Sequence, residues 1–195
     1  MSYFISTAPI TYVVLDFETT GLNHQTDDVI EIAATRLDEN FNETASFQTF
    51  VQLYHHSEVS EFIAGYTGIT TEMIATGMHT DLAFDMLRKF IGNSIVVAQW
   101  APFDLAFLFV KSGGFFPRDF ICTKAFTSLV APDESSSLGP TCERLGIELL
   151  TAHRALEDTR ATGEVLARYV QEGHEIPKNT LVVSPGRPFK FLPQR

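Results

Sequence analysis

The sequence contains few cysteines, no long apolar run and no excess of positive charge. Cys122 and Cys142 lack metal-ligand spacing, which favours reduced, buried thiols in a cytoplasmic protein. No apolar stretch reaches the roughly 18 residues of a membrane-spanning helix, and residues 1–10 lack the pattern of a secretion signal. We therefore expect neither a membrane-spanning nor a secreted protein.

The charge is negative and unevenly distributed. The chain has 24 acidic and 14 basic residues, for a net charge of −10. Residues 173–195 carry +3, so residues 1–172 carry −13. No broad basic surface for tight, nonspecific nucleic-acid binding is therefore expected, although a site that handles only a strand end needs few phosphate contacts.

The same composition suggests how the chain is divided. With 195 residues, 45% of them hydrophobic, the chain is long enough to bury the core of one domain, which we place at residues 1–172. Residues 173–195 contain four prolines and are predicted to be an extended, basic C-terminal tail. The tail would contact substrate phosphates or a partner, or pack along the domain as a basic strap, and we favour the strap.

The order of predicted elements indicates an α/β fold. Three strands that form an antiparallel meander precede an alternation of helices and strands, which predicts a mixed five-stranded sheet, three strands antiparallel and then two parallel, flanked by helices. Strands are predicted at residues 12–16, 29–37, 46–53, 95–98 and 120–123, and helices at 71–75, 82–91, 103–111, 124–130, 138–145 and 155–171.

Three short acidic motifs stand at the ends of these elements. Asp16 and Glu18 close the first predicted strand, and because side chains alternate along a strand, both point to the same face. Asp104 opens a helix after the strand at residues 95–98, where the helix dipole favours a carboxylate. Asp158 lies in the first turn of the last helix. His153 precedes it by five residues, about 140° around a helix, so His153 is expected on the loop that enters that helix.

Four carboxylates gathered at one point would repel one another and take up protons unless cations were bound. Asp16, Glu18, Asp104 and Asp158 are therefore predicted to hold two divalent cations, Mg²⁺ or Mn²⁺. Such a pair, about 3.5 to 4 Å apart, suits attack of water on a phosphodiester. Histidine matches Mg²⁺ poorly and titrates near neutrality, so His153 is predicted to be the general base.

Each of these motifs is common by itself, since an Asp-x-Glu pair usually belongs to a solvated turn. The prediction of a functional site rests on their order and on the elements that carry them, since each element would direct its motif to a common point. The sequence here closely resembles the DEDDh 3′ to 5′ exonucleases, the DnaQ-like family that includes the proofreading exonuclease domains of bacterial DNA polymerase III. The resemblance covers about residues 10–170 and includes residues 15–22, 30–33, 68–70, 101–108, 142–147 and 153–158.

The resemblance implies a ribonuclease H-like fold and a 3′ to 5′ exonuclease that releases nucleoside monophosphates. Its expected substrates are single-stranded 3′ ends, with DNA favoured over RNA. It also implies that Thr19, Thr20 and Leu22 line the terminal nucleotide, with Phe103 near its base or sugar. The alternatives are an exoribonuclease like oligoribonuclease or ribonuclease T, and an adaptor or fidelity subunit that binds a DNA polymerase. The oligomeric state is left open.

The sequence departs from the family pattern in the second motif. Gln99 and Trp100 stand where the family commonly has His-Asn, and Thr67 stands where it often has His. Neither Gln99 nor Trp100 is an expected metal ligand, so catalysis should persist, whereas Thr67 weakens the transfer of the family's substrate contact at that position. Trp100 either stacks on a base, and so contributes to substrate binding, or fills apolar space beside the helix.

Other polar residues are given structural interpretations. His55 and His56 are predicted to lie on a surface loop without a metal, and Asp27 and Asp28 to be solvated. Glu31 lies within an apolar strand, where a charge needs a partner. For Glu31 we favour a structural pairing over a catalytic role.

Overall fold

A five-stranded mixed sheet forms the centre of the fold. The computed structural model describes residues 9–149 and 154–181. Within them the strand order is β3-β2-β1-β4-β5, in which β1, β2 and β3 are antiparallel and β4 and β5 run parallel to β1. The strands are β1 (Tyr12–Thr19), β2 (Val29–Leu37), β3 (Glu43–Phe50), β4 (Ile95–Ala98) and β5 (Phe120–Cys122). The predicted fold class is confirmed.

Helices cover both faces of this sheet. They are α1 (Glu61–Thr67), α2 (Thr71–Ile74), α3 (Thr80–Ile91), α4 (Ala101–Lys111), α5 (Thr123–Val130), α6 (Leu138–Leu145) and α7 (Ala155–Gln171). Leu15 and Phe17 of β1 face a core that includes α3 and α4. Val14 faces the opposite core, which α7 fills with Val165 and Leu166. None of the described helices has the length and apolar composition to cross a membrane.

The first strand is longer than predicted. It continues to Thr19 because β2 pairs with it up to Val29, so Asp16 and Glu18 lie inside the strand. The neighbouring strand β4 ends earlier, with Ala98 opposite Leu15. The last residues of β1 therefore have a strand partner on one side only, and the other side is open to the start of α4.

Apart from shifts of one or two residues at the ends of α2, α3, α4, α5 and β5, strand β3 and helix α1 differ from the prediction. Strand β3 covers residues 43–50 instead of 46–53, because it pairs with β2 from Leu37 to Glu31. Helix α1 was not predicted, because its seven residues are too few to show an apolar period. Ser60 caps its first turn by accepting a hydrogen bond from the Ile63 N–H, and Gly68 ends it in the left-handed region with φ of 73°.

Helix α7 approaches the sheet closely. A Cβ atom at Gly163 would lie 3.0 Å from Leu37 Cδ1 and 3.4 Å from Val14 Cγ2, so only glycine fits this contact without displacement. One turn nearer the helix start, the hydroxyls of Thr35 and Thr159 are 2.7 Å apart and buried. These two contacts fix the first turn of α7 against β1 and β2.

The beginning of the predicted tail packs on the domain. The side chain of Asn179 accepts a hydrogen bond from the Phe120 N–H (3.0 Å), and its backbone N–H donates to the Phe120 carbonyl (2.8 Å). Ile176 and Leu181 pack against the two cores. Residues 182–195, which include most of the predicted strap, lie outside the described residues. The division at residue 172 stays a prediction.

Candidate active site

Three of the four predicted metal ligands meet at the open end of β1. Asp16 and Glu18 point to the same face of the strand, as their spacing requires, and Asp158 reaches them from the first turn of α7. One carboxylate oxygen from each lies within 4.8 Å of the other two. This spacing is compatible with a shared cation, and carboxylate oxygens are the ligands that Mg²⁺ and Mn²⁺ take.

The fourth predicted ligand, Asp104, lies beside this group of three without belonging to it. Asp104 is in the first turn of α4 and is 4% exposed. Its carboxylate is hydrogen-bonded by its own backbone N–H and by that of Phe17, which is free because β4 has ended. Asp104 therefore approaches β1 between Asp16 and Glu18.

The carboxylates strongly affect one another. Burial, followed by the charges of Asp104, Glu18 and Asp158, raises the pKa of Asp16 well above its usual range. Burial also raises the pKa of Glu18 to about 8, with Asp158 as the largest neighbouring charge. The pKa of Asp104 is raised to about 8 by burial, against its two backbone hydrogen bonds.

The neighbouring charges that raise these pKa values differ between the two strand residues. For Asp16 the largest effect comes from the charge of Asp104, whereas for Glu18 it comes from that of Asp158. Asp158 also raises the pKa of Asp16, so Asp16 interacts with both Asp104 and Asp158. The donor set consists of hard oxygen ligands whose ionisation is opposed by burial and repulsion, so it fits divalent cations, which would relieve that cost.

The predicted substrate residues lie next to the carboxylates in sequence, after Glu18 and before Asp104, and two of them are held by hydrogen bonds. The hydroxyl of Thr19 donates to the Gly21 carbonyl at 2.6 Å, and that of Thr20 accepts from the Asp28 N–H at 2.9 Å. Leu22 is 80% exposed. On the other side, Trp100 stacks on Phe103 with ring centroids 5.9 Å apart and is 37% exposed. Trp100 therefore packs on Phe103 of α4 and also exposes part of its surface to solvent.

Gln99, by contrast, is turned into the protein. Its side-chain nitrogen donates to the Ser136 carbonyl at 2.9 Å, and its side-chain oxygen accepts from the Thr123 hydroxyl. The residue joins the end of β4 to the start of α5. The departure at this position therefore has a structural role.

Asp28 was predicted to be solvated, and this was wrong. It is 3% exposed, and its carboxylate accepts the backbone N–H groups of Tyr54, His55 and His56 at 2.8 to 3.1 Å. Both imidazoles also contact it through Nδ1. Burial opposes ionisation, but hydrogen bonds from His55 and His56 lower the pKa of Asp28 to about 2. A single sequence could not reveal this, because the partners lie 26 to 28 residues away.

The Asp28 contacts connect the site to a distant loop. The Thr20 hydroxyl, which accepts from the Asp28 backbone, also lies 3.4 Å from His56 Nδ1. The turn at residues 19–22 is thereby held against residues 54–56. His55 and His56 lie partly exposed in a loop, as predicted, and belong to no candidate metal group among the described residues.

Two further residues near the carboxylates were underestimated from sequence. Glu31 is opposite Glu18 in the β1–β2 pairing and accepts a hydrogen bond from Gln48 Nε2 at 2.8 Å, so it has a structural partner. The preference for a structural over a catalytic role stays a prediction. Tyr66 of α1 received no predicted role. Burial, with the charges of Glu18 and Asp158, raises the pKa of Tyr66, so its hydroxyl is within electrostatic range of these two carboxylates.

Comparison with known proteins identifies the family to which this arrangement belongs. Residues 13–166 match the RNase_T family, described as Exonuclease. The chain belongs to this exonuclease family. The predicted resemblance to DEDDh exonucleases and the enzyme class, an exonuclease, are confirmed.

Curated relatives of this exonuclease include DNA polymerases. PolC-type DNA polymerase III of Thermotoga petrophila is 36% identical over 180 residues, which cover 88% of this chain and 13% of the relative. The Bacillus cereus protein of the same name is 34% identical over 167 residues, with 83% and 11% coverage. The chain thus spans only a small part of the length of these relatives.

Solved structures share the fold. The nuclease domain of 3′hExo, a DEDDh family member bound to rAMP, superposes with a TM-score of 0.77 at 18% identity and covers 91% of this chain and all of that domain. E. coli Exonuclease I in complex with a dA16 oligonucleotide has a TM-score of 0.70 at 17% identity, with 83% and 41% coverage. The ribonuclease H-like architecture of this exonuclease is therefore confirmed.

His153 lies outside the described residues of this exonuclease, so its role stays a prediction. Its neighbour Arg154 precedes α7 and lowers the pKa of Glu18. Arg154 is therefore near enough to Glu18 for its positive charge to act on that carboxylate.

The raised pKa values predict how pH affects the metal-free exonuclease. Because the pKa values of Glu18 and Asp104 are about 8 in the folded state and near 4 when unfolded, the folded state binds more protons between these limits. Their contribution to stability is complete below about pH 4 and is lost as pH rises to about 8. In chelator, urea unfolding should show a smaller loss of stability from pH 6 to 8.5 for Asp104→Asn than for the unmodified chain.

Asp85→Asn is the matched control, because Asp85 is an exposed carboxylate on α3. This variant should keep the pH dependence of the unmodified chain. An Asp104→Asn protein with an unchanged pH dependence would contradict the assigned pKa shift.

Proposed function

We propose that this exonuclease hydrolyses single-stranded DNA from its 3′ end and releases nucleoside monophosphates with the help of two divalent cations. The observation that carries the proposal is the convergence of Asp16, Glu18 and Asp158, together with the charge of Asp104 acting on Asp16. These four residues would hold the cations. When bound, a pair of cations stabilises the attacking and leaving oxygens of an in-line displacement.

The chain's own residues would orient the substrate and move the proton. His153, which comes two residues before α7 in the sequence, would accept the proton of the attacking water at a ring nitrogen. The turn at residues 19–22, held by Asp28, would receive the terminal nucleotide, with the exposed Leu22 at its edge. The small number of basic residues and the net charge of −10 suit short contact with a strand end followed by release.

The preference for DNA rests on the relatives. The curated relatives are DNA polymerases, and Exonuclease I of E. coli was solved with a DNA oligonucleotide. The rAMP in the 3′hExo structure instead favours RNA as the alternative. Relative kcat/KM on DNA and RNA oligomers of the same sequence separates the two, because only the 2′-hydroxyl differs. A rate at least as high on RNA would overturn the preference for DNA.

The main test uses end-labelled oligonucleotides. With Mg²⁺ or Mn²⁺, a 3′-labelled single strand should lose its label as a mononucleotide, whereas a 5′-labelled strand should shorten stepwise. Chelator and Asp16→Asn should each abolish both changes. Chelator removes the cations, and Asp16→Asn removes a negative charge that would hold them.

Asp85→Asn again provides the control and should keep full activity, since this carboxylate pairs with Arg88 on the surface of α3. Release of mononucleotide from the 5′ end, or an active Asp16→Asn protein, would refute the proposal. Asp16→Asn should retain any association with a DNA polymerase, so its co-purification with one tests the adaptor alternative separately from catalysis.

His153→Ala should lower kcat by about 10² to 10⁴, the usual effect of losing a general base. Mn²⁺ affinity, measured by calorimetry, should be unchanged because histidine is not a proposed ligand. His79→Ala is the control, since His79 precedes α3 without a side-chain cap bond. A large loss of Mn²⁺ affinity in His153→Ala would mean that the residue binds the cation instead.

Trp100→Leu distinguishes the two interpretations of this residue. If the exposed face of Trp100 stacks on a base, KM for a single-stranded oligonucleotide should rise about 5- to 150-fold, equivalent to about 1 to 3 kcal/mol, with kcat little changed. Met86→Ala, on an equally exposed residue of α3, should leave KM unchanged. An unchanged KM with a lower unfolding temperature would assign Trp100 to packing on Phe103.

A further inference from the structure

One buried acid near the site has no place in the proposed chemistry. Glu31 is fully buried at the start of β2. Gln48 donates to one of its carboxylate oxygens, Oε1. The other, Oε2, is buried and has no hydrogen-bond partner within residues 9–149 and 154–181. Leaving a buried carboxylate oxygen unsatisfied is costly, so an unpaired one requires an explanation.

The position of Glu31 relates it to the carboxylate cluster. Glu31 and Glu18 are directly opposite each other on antiparallel strands, so their side chains leave the sheet on the same face. The charge of Glu31 also contributes to the raised pKa values of both Asp16 and Glu18. It lies outside the group of three whose oxygens are within 4.8 Å of one another.

A purely structural role accounts for only part of these observations. The Gln48 hydrogen bond explains Oε1 but not the unpaired Oε2, and Gln48 itself lies on the exposed strand β3. A neutral side chain opposite Glu18 would hold the strands equally well without adding a fifth acidic group.

We propose that Glu31 is a positioning residue of the cation site, whose charge strengthens divalent-cation binding and whose Oε2 accepts a hydrogen bond from a cation-bound water. The inference rests on the cation site of the proposed function. Mg²⁺ and Mn²⁺ keep several of their waters when bound by few carboxylates. Mutation of outer carboxylates that bind such waters, or that orient the direct ligands, commonly lowers metal affinity by about 10- to 100-fold.

The test replaces Glu31 by glutamine, which keeps the shape and the oxygen that accepts from Gln48. Calorimetric titration of the whole chain with Mn²⁺ should show affinity lowered about 10- to 100-fold. In chelator, the unfolding temperature of Glu31→Gln should equal or exceed that of the unmodified chain, because one source of repulsion has been removed. A structural role would instead lower the unfolding temperature and leave Mn²⁺ affinity unchanged.

A second variant leaves Glu31 in place. Gln48→Lys puts a cation beside Glu31 from the exposed strand β3 and should also weaken Mn²⁺ binding. Glu43→Gln, farther along β3, is the control and should bind Mn²⁺ normally. Mn²⁺ affinity unchanged in both Glu31→Gln and Gln48→Lys would overturn the inference, even if the unmodified chain binds Mn²⁺. Absence of Mn²⁺ binding by the unmodified chain would instead overturn the proposed cation site, and this inference with it.

Discussion

The repulsion among buried carboxylates is the constraint on which the rest of the site depends. Asp16, Glu18 and Asp158 bring oxygens within 4.8 Å of one another, and Asp104 adds a buried carboxyl group beside them. No flexible segment would hold such a group together without cations, because the side chains would separate into water. The cluster therefore requires elements fixed by other forces.

Those forces lie just outside the cluster. Gly163 lets α7 approach Leu37 and Val14, and the buried Thr35–Thr159 hydrogen bond fixes the turn that follows Asp158. The early end of β4 frees the Phe17 N–H for Asp104. Apolar packing on both faces of the sheet thus positions acids that would otherwise move apart.

Two kinds of buried acid occur within a short distance in this fold. Asp28 accepts three backbone N–H groups and contacts two imidazoles, so its pKa falls to about 2 and it serves as a permanent structural anion. Among the described residues none donates such a set of hydrogen bonds to Glu18, and its pKa rises to about 8. The first carboxylate is satisfied by the protein itself, whereas the second is available to a ligand. Burial alone does not distinguish them, since both are nearly inaccessible.

The sequence by itself determined the type and order of the strands and of the described helices other than α1, the common face of Asp16 and Glu18, and the position of Asp158 at a helix start. These features follow from local sequence patterns, because side chains alternate between the two faces of a strand and apolar residues recur along one face of a helix. Only the tertiary structure decided that Asp28 is buried, that Glu31 lies opposite Glu18, and that Gln99 turns inward. Each of these depends on partners distant in sequence, and strand register and loop packing are set by the whole fold.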